Sequence, residues 1–256
     1  GQLLMPDPEP LPETDTLFME TTYGNRLHKD LGPSVDELLA TVNAAWKEGG
    51  KILIPAFAVE RTQEILLLLA QAWHEEKIPR DLPIILDSPL ATQASEVYRR
   101  HLDLFDEESR AFLGPEVNQE TLPSLRITRD AQESQKINDI TGPALIIAGS
   151  GMANAGRILH HLKHNLWRPN CHVIFVGFQA QGTTGRRLVE GAKTVNTFRE
   201  AVNVGAKIHT IGCFSGHADQ KERPAWLRPL AHPVLTGYRS HGRSPRTRDV
   251  HSAATK

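Results

Sequence analysis

From residue 34 onward the chain repeats one pattern: a short apolar run without polar alternation, then a segment with apolar positions at helical spacing. KILIPAF (51–57) precedes TQEILLLLAQAWHEE (62–76), and PIILDSP (83–89) precedes ATQASEVYRRHL (91–102). ALIIAGSG (144–151) precedes RILHHLKHNL (157–166), and HVIFVGF (172–178) precedes QAQGTTGRRLVEG (179–191). Ser34, with Glu37 three positions on, predicts an N-cap and capping box for a first helix over VDELLATVNAAW (35–46). Unalternating β-branched runs joined through helices predict a parallel sheet covered on both faces, an α/β fold. Upstream, Leu17-Phe18-Met19 predicts a strand running into Glu20-Thr21-Thr22-Tyr23-Gly24, and the four prolines and four acids of residues 1–16 predict an extended connector. Residues 103–138 are less regular and predict helical pieces with one short strand, LRIT (125–128).

Composition narrows the class. The 256 residues carry 29 Lys+Arg against 30 Asp+Glu, and 39% are apolar and 23% charged, which excludes wholesale disorder. A net charge of −1 gives no nucleic-acid footprint, so any basic groove must be local. Two cysteines, Cys171 and Cys213, form no disulfide framework, and no apolar run approaches the length of a membrane span. A soluble cytoplasmic protein with no membrane partner is expected. Residues 233–256 carry five basic residues and one acid with no period of 2 or 3.6, which predicts a disordered basic tail.

Polar and glycine residues end each predicted strand, at Asp87-Ser88, Gly149-Ser150-Gly151 and Gln179 to Gly182, the edge where open α/β sheets bind ligands. The Gly149–Gly151 loop could present backbone N–H groups to a phosphate. It lacks the dinucleotide fingerprint, because the next glycine, Gly156, comes two positions late. His160 and His164 share one helix face at a spacing that can hold zinc, but no Glu follows the first, and a surface helix rich in His and Lys is the plainer reading. Phe214-Ser215-Gly216-His217-Ala218-Asp219 places a hydroxyl, an imidazole and a carboxylate within six residues, a grouping suited to acid–base work.

Together these segments resemble one family, the β-CASP group of metallo-β-lactamase-fold nucleases, above all its bacterial RNA-processing members, and are similar to the cleavage-and-polyadenylation endonuclease subunit. The resemblance rests on Glu20-Thr21-Thr22-Tyr23-Gly24; Ile54-Pro55-Ala56-Phe57-Ala58 with Arg61-Thr62-Gln63-Glu64; and Leu86-Asp87-Ser88-Pro89. It continues through Gly149-Ser150-Gly151-Met152 with Gly156-Arg157, Gly177-Phe178-Gln179-Ala180 with Gly182-Thr183 and Gly185-Arg186, and the segment 214–219. It implies a doubly wound parallel β-CASP sheet (25–205) inserted in a partial metallo-β-lactamase αββα domain (1–24 and 206–232), with the basic tail beyond. Glu60 stands where the family usually has glycine, and Gly216 where it often has alanine.

The resemblance implies a zinc-dependent ribonuclease acting on single-stranded RNA. Glu20 is expected to orient a metal-ligating histidine. His217 is expected to protonate the leaving oxygen or position the scissile phosphate. Ser215, Ser150 and Gly151 are expected to contact phosphate oxygens, and Arg61, Arg157 and Arg186 to line the RNA cleft. The two zinc ions of the family are expected not to be bound here. The His-x-His-x-Asp-His motif that holds them is absent, and His241-Gly242 is followed by Arg243 where the family's third motif has Glu. The expectation is therefore an internal fragment, shifted out of frame near Pro233 and inactive alone, drawn from a family in which homodimers are common. Two alternatives remain: a non-catalytic RNA-binding or regulatory module, and a nucleotide-dependent α/β enzyme using the Gly149 loop.

Overall fold

The computed structural model describes residues 3–10, 12, 16–107, 109–110, 121–212 and 216–227, with the backbone of 236–240. Along them run β1 (Thr16–Glu20), α1 (Leu31–Lys47), β2 (Lys51–Pro55), α2 (Arg61–His74), β3 (Ile84–Asp87), α3 (Pro89–Arg100), β4 (Leu125–Ile127) and α4 (Ala131–Lys136). Then follow β5 (Ala144–Ala148), α5 (Ile158–Asn165), β6 (His172–Phe175), α6 (Thr184–Val189), β7 (Thr194–Thr197), β8 (Glu200–Asn203), β9 (Lys207–Thr210), α7 (Glu222–Leu227) and β10 (Thr236–Ser240). They form two compact units, one of Leu31–Phe214 with Leu3–Met5, the other built mainly of Pro6–Asp30 and Ser215–Lys256.

The larger unit is organised by a six-stranded sheet in the order β4-β3-β5-β2-β6-β9, parallel throughout. This is the expected α/β fold. Alternation across the pleat explains the unbroken apolar runs, since each strand feeds two cores at once. Ile52 and Ile54 of β2 join α1 and α2 through Leu38, Val42, Ile65 and Leu69. Leu53 between them faces the opposite layer, with Ile158 and Leu162 of α5 and Leu188 of α6. Fully burying one such side chain contributes about 1.5–3 kcal/mol, so both faces of the sheet are dominated by apolar side chains.

Three elements differ from the sequence expectation. Helix α1 begins at Leu31, so Ser34 lies buried inside it and is not its cap; Pro33 is compatible with a first helical turn, where its missing N–H has no intrahelical partner. The antiparallel hairpin β7–β8 has no sequence signal because its two turn residues, Phe198 and Arg199, adopt φ of 51° and 66° without the Asn-Gly pair that usually marks such turns. Within the stretch expected to be disordered, Thr236–Ser240 is instead a strand, paired in parallel with β1 from Thr16↔Thr236 to Glu20↔Ser240. Pairing with a segment so distant in sequence leaves no local period to read. Residues 233–235 and 241–256 lie outside the described residues. No helix among the described residues is long and apolar enough to cross a membrane.

The connection from β2 to α2 holds a local strain. Glu60 has φ 67° and ψ −68°, and the N–H of Arg61 donates to the carbonyl of Val59 at 2.9 Å. That is a γ-turn of the strained hand, in a region open to glycine and costly for a residue with a Cβ. It gives a physical reason for the glycine that the resembled family usually carries at this position. Glu60→Gly should raise the unfolding free energy by about 1 kcal/mol, the relieved strain exceeding the added freedom of the unfolded chain. Denaturant unfolding checks this, and a lowered midpoint would refute the strain.

Candidate functional site

The motif segments of the larger unit converge at the carboxyl edge of the six-stranded sheet, because parallel strands end together there. The loop after β5 folds on itself: Ser150 N–H donates to Ala155 O at 3.0 Å, and Ile158 N–H to Gly149 O at 3.0 Å. Gly156 makes that closure possible. It has φ 79°, and a Cβ there would lie 2.4 Å from the Gly149 carbonyl oxygen. Its position, two residues late for a dinucleotide fingerprint, therefore has a packing reason. The loop after β6 is laced to the first one. Gln179 Nε2 donates to Gly151 O at 3.0 Å, Gly185 N–H to Met152 O at 3.0 Å, and Thr184 N–H to Asn154 Oδ1 at 2.7 Å.

Beneath these loops lies Asp87, the last residue of β3, completely buried. Its Oδ1 accepts from Thr128 Oγ1 and from a guanidinium N–H of Arg157 at 2.6 Å. Its Oδ2 accepts from Ser134 Oγ at 2.7 Å and from His161 Nε2 at 2.6 Å. Burial pushes the Asp87 carboxyl up, but the hydrogen bonds from His161, Thr128, Ser134 and Arg157 more than reverse this and hold it well below the usual carboxylate range. A carboxylate only accepts, so His161 Nε2 carries the proton of this contact, while Nδ1 is buried without a hydrogen-bond partner. In sequence Asp87 belongs to a motif segment with no role of its own, and the helix of His160, His161 and His164 reads as a surface helix. His160 and His164 are exposed, whereas His161 is buried. The overlooked signal is the spacing of four between Arg157 and His161, which puts two donors on one helix face toward a common acid.

The three arginines expected along an RNA cleft each hold a carboxylate. Arg157 spends one nitrogen on Asp87 and keeps 22% of its side chain exposed. Arg61 pairs with buried Glu64, whose carboxyl burial pushes up while the Arg61 charge opposes. Arg186 pairs with Glu190 at 2.6 Å, one helical turn on. Ser150 and Gly151 sit together in the laced loop, Ser150 half-buried and Gly151 buried. Ser215 lies outside the described residues.

In the smaller unit, Glu20 at the end of β1 meets His217, with Nδ1 and Oε2 3.4 Å apart and the His217 side chain 52% exposed. Burial raises the Glu20 carboxyl, but hydrogen bonds from Thr22, including Thr22 N–H to Oε2 at 2.6 Å, and the charges of His217 and Arg223 bring it below its ordinary value. The loop carrying His217 is fixed from both sides. His28 Nε2 lies 2.8 Å from His217 O, and Gln220 N–H donates to Arg26 O at 3.1 Å. Asp219 is a structural cap: it accepts from the N–H groups of His28, Lys221 and Glu222, while Glu222 Oε2 accepts from Asp219 N–H, a reciprocal capping box starting α7. Of the hydroxyl, imidazole and carboxylate grouped in the sequence, the carboxylate is thus committed to backbone.

Among the described residues no group of three or more His, Cys, Asp or Glu side chains could hold a metal ion. The donors among the described residues do not fit the two zinc ions that the resemblance implies.

Asp87→Asn should cost about 3–5 kcal/mol at pH 7, since it leaves Arg157 without its charge partner and His161 without its carboxylate acceptor. Because the folded-state value of Asp87 is depressed, its stabilisation is full above the unfolded value near 4 and fades as pH falls below it. Unfolding measured from pH 7 to pH 3 should show the gap between wild type and variant narrowing below about pH 4. A gap independent of pH would refute this role.

Residues 62–188 match the family model described as the Beta-Casp domain. The chain is 40% identical over 232 residues to Ribonuclease TTHA0252 of Thermus thermophilus, covering 91% of this chain and 53% of that protein. It is 32% identical over 273 residues to Transcription termination factor FttA of Thermococcus kodakarensis, covering 100% of this chain and 40% of that protein. An RNase J-like protein of Methanocaldococcus jannaschii is 32% identical over 237 residues, with 91% and 53% covered. The chain thus spans about half, or less, of the length of these relatives. With a matching domain model and a parallel α/β sheet that gathers the motif loops at one edge, the chain belongs to the β-CASP family.

Proposed function

We propose that this chain is part of a ribonuclease of RNA processing or decay, and that it holds single-stranded RNA and supplies the group that protonates the leaving oxygen. The observation that carries the reading is the Glu20–His217 pair at 3.4 Å. A carboxylate kept ionised by Thr22 and neighbouring charges orients the imidazole through Nδ1, so that Nε2 is the nitrogen that delivers a proton to the departing oxygen. Ser150 and Gly151 would contact phosphate oxygens at the sheet edge, with Arg157 beside them. Similarity to proteins named as ribonucleases supports the reaction class. Zinc dependence belongs to the proposal for a longer protein that supplies the ligands the described residues lack; the steps assigned here use this chain's own groups.

A non-catalytic RNA-binding module is the second reading, favoured by the missing metal-ligand cluster among the described residues. The two readings part on the coding DNA upstream of Gly1. An in-frame His-x-His-x-Asp-His there supports the ribonuclease, and its absence supports the second reading.

The 256-residue chain should bind labelled single-stranded RNA with an affinity that falls steeply with salt, and should not cleave it with or without added zinc. Anisotropy titrations and gel assays check this. Chelator-sensitive cleavage lost in His217→Ala would overturn inactivity of the chain alone, and no RNA binding would overturn the proposal.

A further inference from the structure

We infer that Phe57 is a stacking platform on which a nucleobase of single-stranded RNA rests at the carboxyl edge of the six-stranded sheet, an inference that builds on the RNA reading above. Phe57 lies in the Ile54–Ala58 motif segment, two residues past the end of β2, and no role has yet been assigned to it. Its surroundings in sequence are buried: Ile52, Leu53, Ile54 and Ala56 are at most 1% exposed, yet Phe57 is 48% exposed. An aromatic ring left half in water is unremarkable on a mobile loop, but this backbone is held on every side. Ala56 N–H donates to Ala148 O at 3.0 Å, Thr62 Oγ1 donates to Phe57 O at 2.6 Å, and Gln63 Nε2 donates to Ala58 O at 3.1 Å. The ring is presented to solvent from a fixed base.

One side of that ring lies against Gly151. A Cβ on residue 151 would fall 2.8–3.1 Å from three ring carbons, so glycine is required for the ring to rest there. Gly151 is itself pinned by Gln179 through its carbonyl. The aromatic surface therefore begins one residue from Ser150, in the loop where a phosphate is expected. Arg157 follows Gly156, whose backbone packs on Gly149 and Ser150. Only one Arg157 nitrogen is engaged with Asp87, and the side chain remains partly exposed. A hydroxyl and a guanidinium for the backbone, with an aromatic surface beside them, is the combination by which proteins hold single strands without reading sequence. Every base has a π-face, so the contact would favour larger purine rings without specifying a sequence.

The test is anisotropy titration of the full chain with a labelled single-stranded oligoadenylate, with a chelator present so that cleavage is excluded. Phe57→Ala and Phe57→Leu should each weaken binding by about tenfold, since leucine keeps apolar volume but not the ring. Phe57→Trp should bind within about twofold of wild type. Its emission should be quenched by the oligonucleotide beyond any change in the four native tryptophans. An abasic ribose-phosphate oligomer should not distinguish wild type from Phe57→Leu. Thermal unfolding of each variant confirms that folded proteins are compared, and Phe57→Leu carries the test if Phe57→Ala does not fold. The inference is overturned if wild type and Phe57→Leu bind oligoadenylate equally, or if the abasic oligomer separates them as strongly. Failure of wild type to bind any RNA would instead bring down the RNA reading, and this inference with it.

Discussion

The larger unit depends on one buried carboxylate. Asp87 ends an interior strand, and its two oxygens accept from four side chains that belong to different parts of the chain: Thr128 beyond β4, Ser134 on α4, Arg157 at the N-cap of α5 and His161 on it. An ionised group with no solvent is tolerated only when its lone pairs are all used and a positive charge is close by. Both conditions are met here, so the carboxylate orients everything around it. Arg157 and His161 reach Asp87 only if α5 enters at one angle, and that angle sets the loop of Gly149–Gly156 that precedes it. The geometry of the sheet edge is thus decided below the surface that would meet a ligand.

The loops above the carboxylate are built to hold position. They use glycine at close contacts, at Gly151 under the Phe57 ring and at Gly156 against the Gly149 backbone, and side chains such as Gln179 and Asn154 to join one loop to the next. Site residues held by such supports keep their geometry without a ligand, which a contact with a flexible single strand needs if the ordering cost is to stay small. The arginines fit the same account. Arg61 and Arg186 hold carboxylates of their own helices, while Arg157 alone couples the buried network to the partly exposed edge.

The smaller unit follows the same rule with different chemistry. His217 sits on a loop fixed by the Asp219–Glu222 capping box and by His28, and its ring is addressed by Glu20 from the end of β1. Asp219 would serve equally well as an acid or base by composition, but three backbone N–H groups occupy it. Glu20, with exposure to spare, is the carboxylate that remains to act on the imidazole.

Periodicity alone determined the α/β class, the parallel sheet and most of its helices, because short apolar runs each followed by a helix are the mark of parallel strands covered on both faces. Motif order carried the family, and with it the roles expected of Glu20, His217, Ser150 and Gly151. Other features were not legible. The hairpin turn at Phe198-Arg199 uses residues that rarely take positive φ, and β10 exists through pairing with β1. The Asp87 network joins residues from four segments, and the bond Asp219 accepts from the distant His28 N–H leaves no local trace, although its spacing to Glu222 is a local capping-box signal. Local patterns encode which face of an element is buried. Which polar groups meet once those faces are buried is decided only by the assembled tertiary structure, where the cost of an unpartnered charge selects the partners.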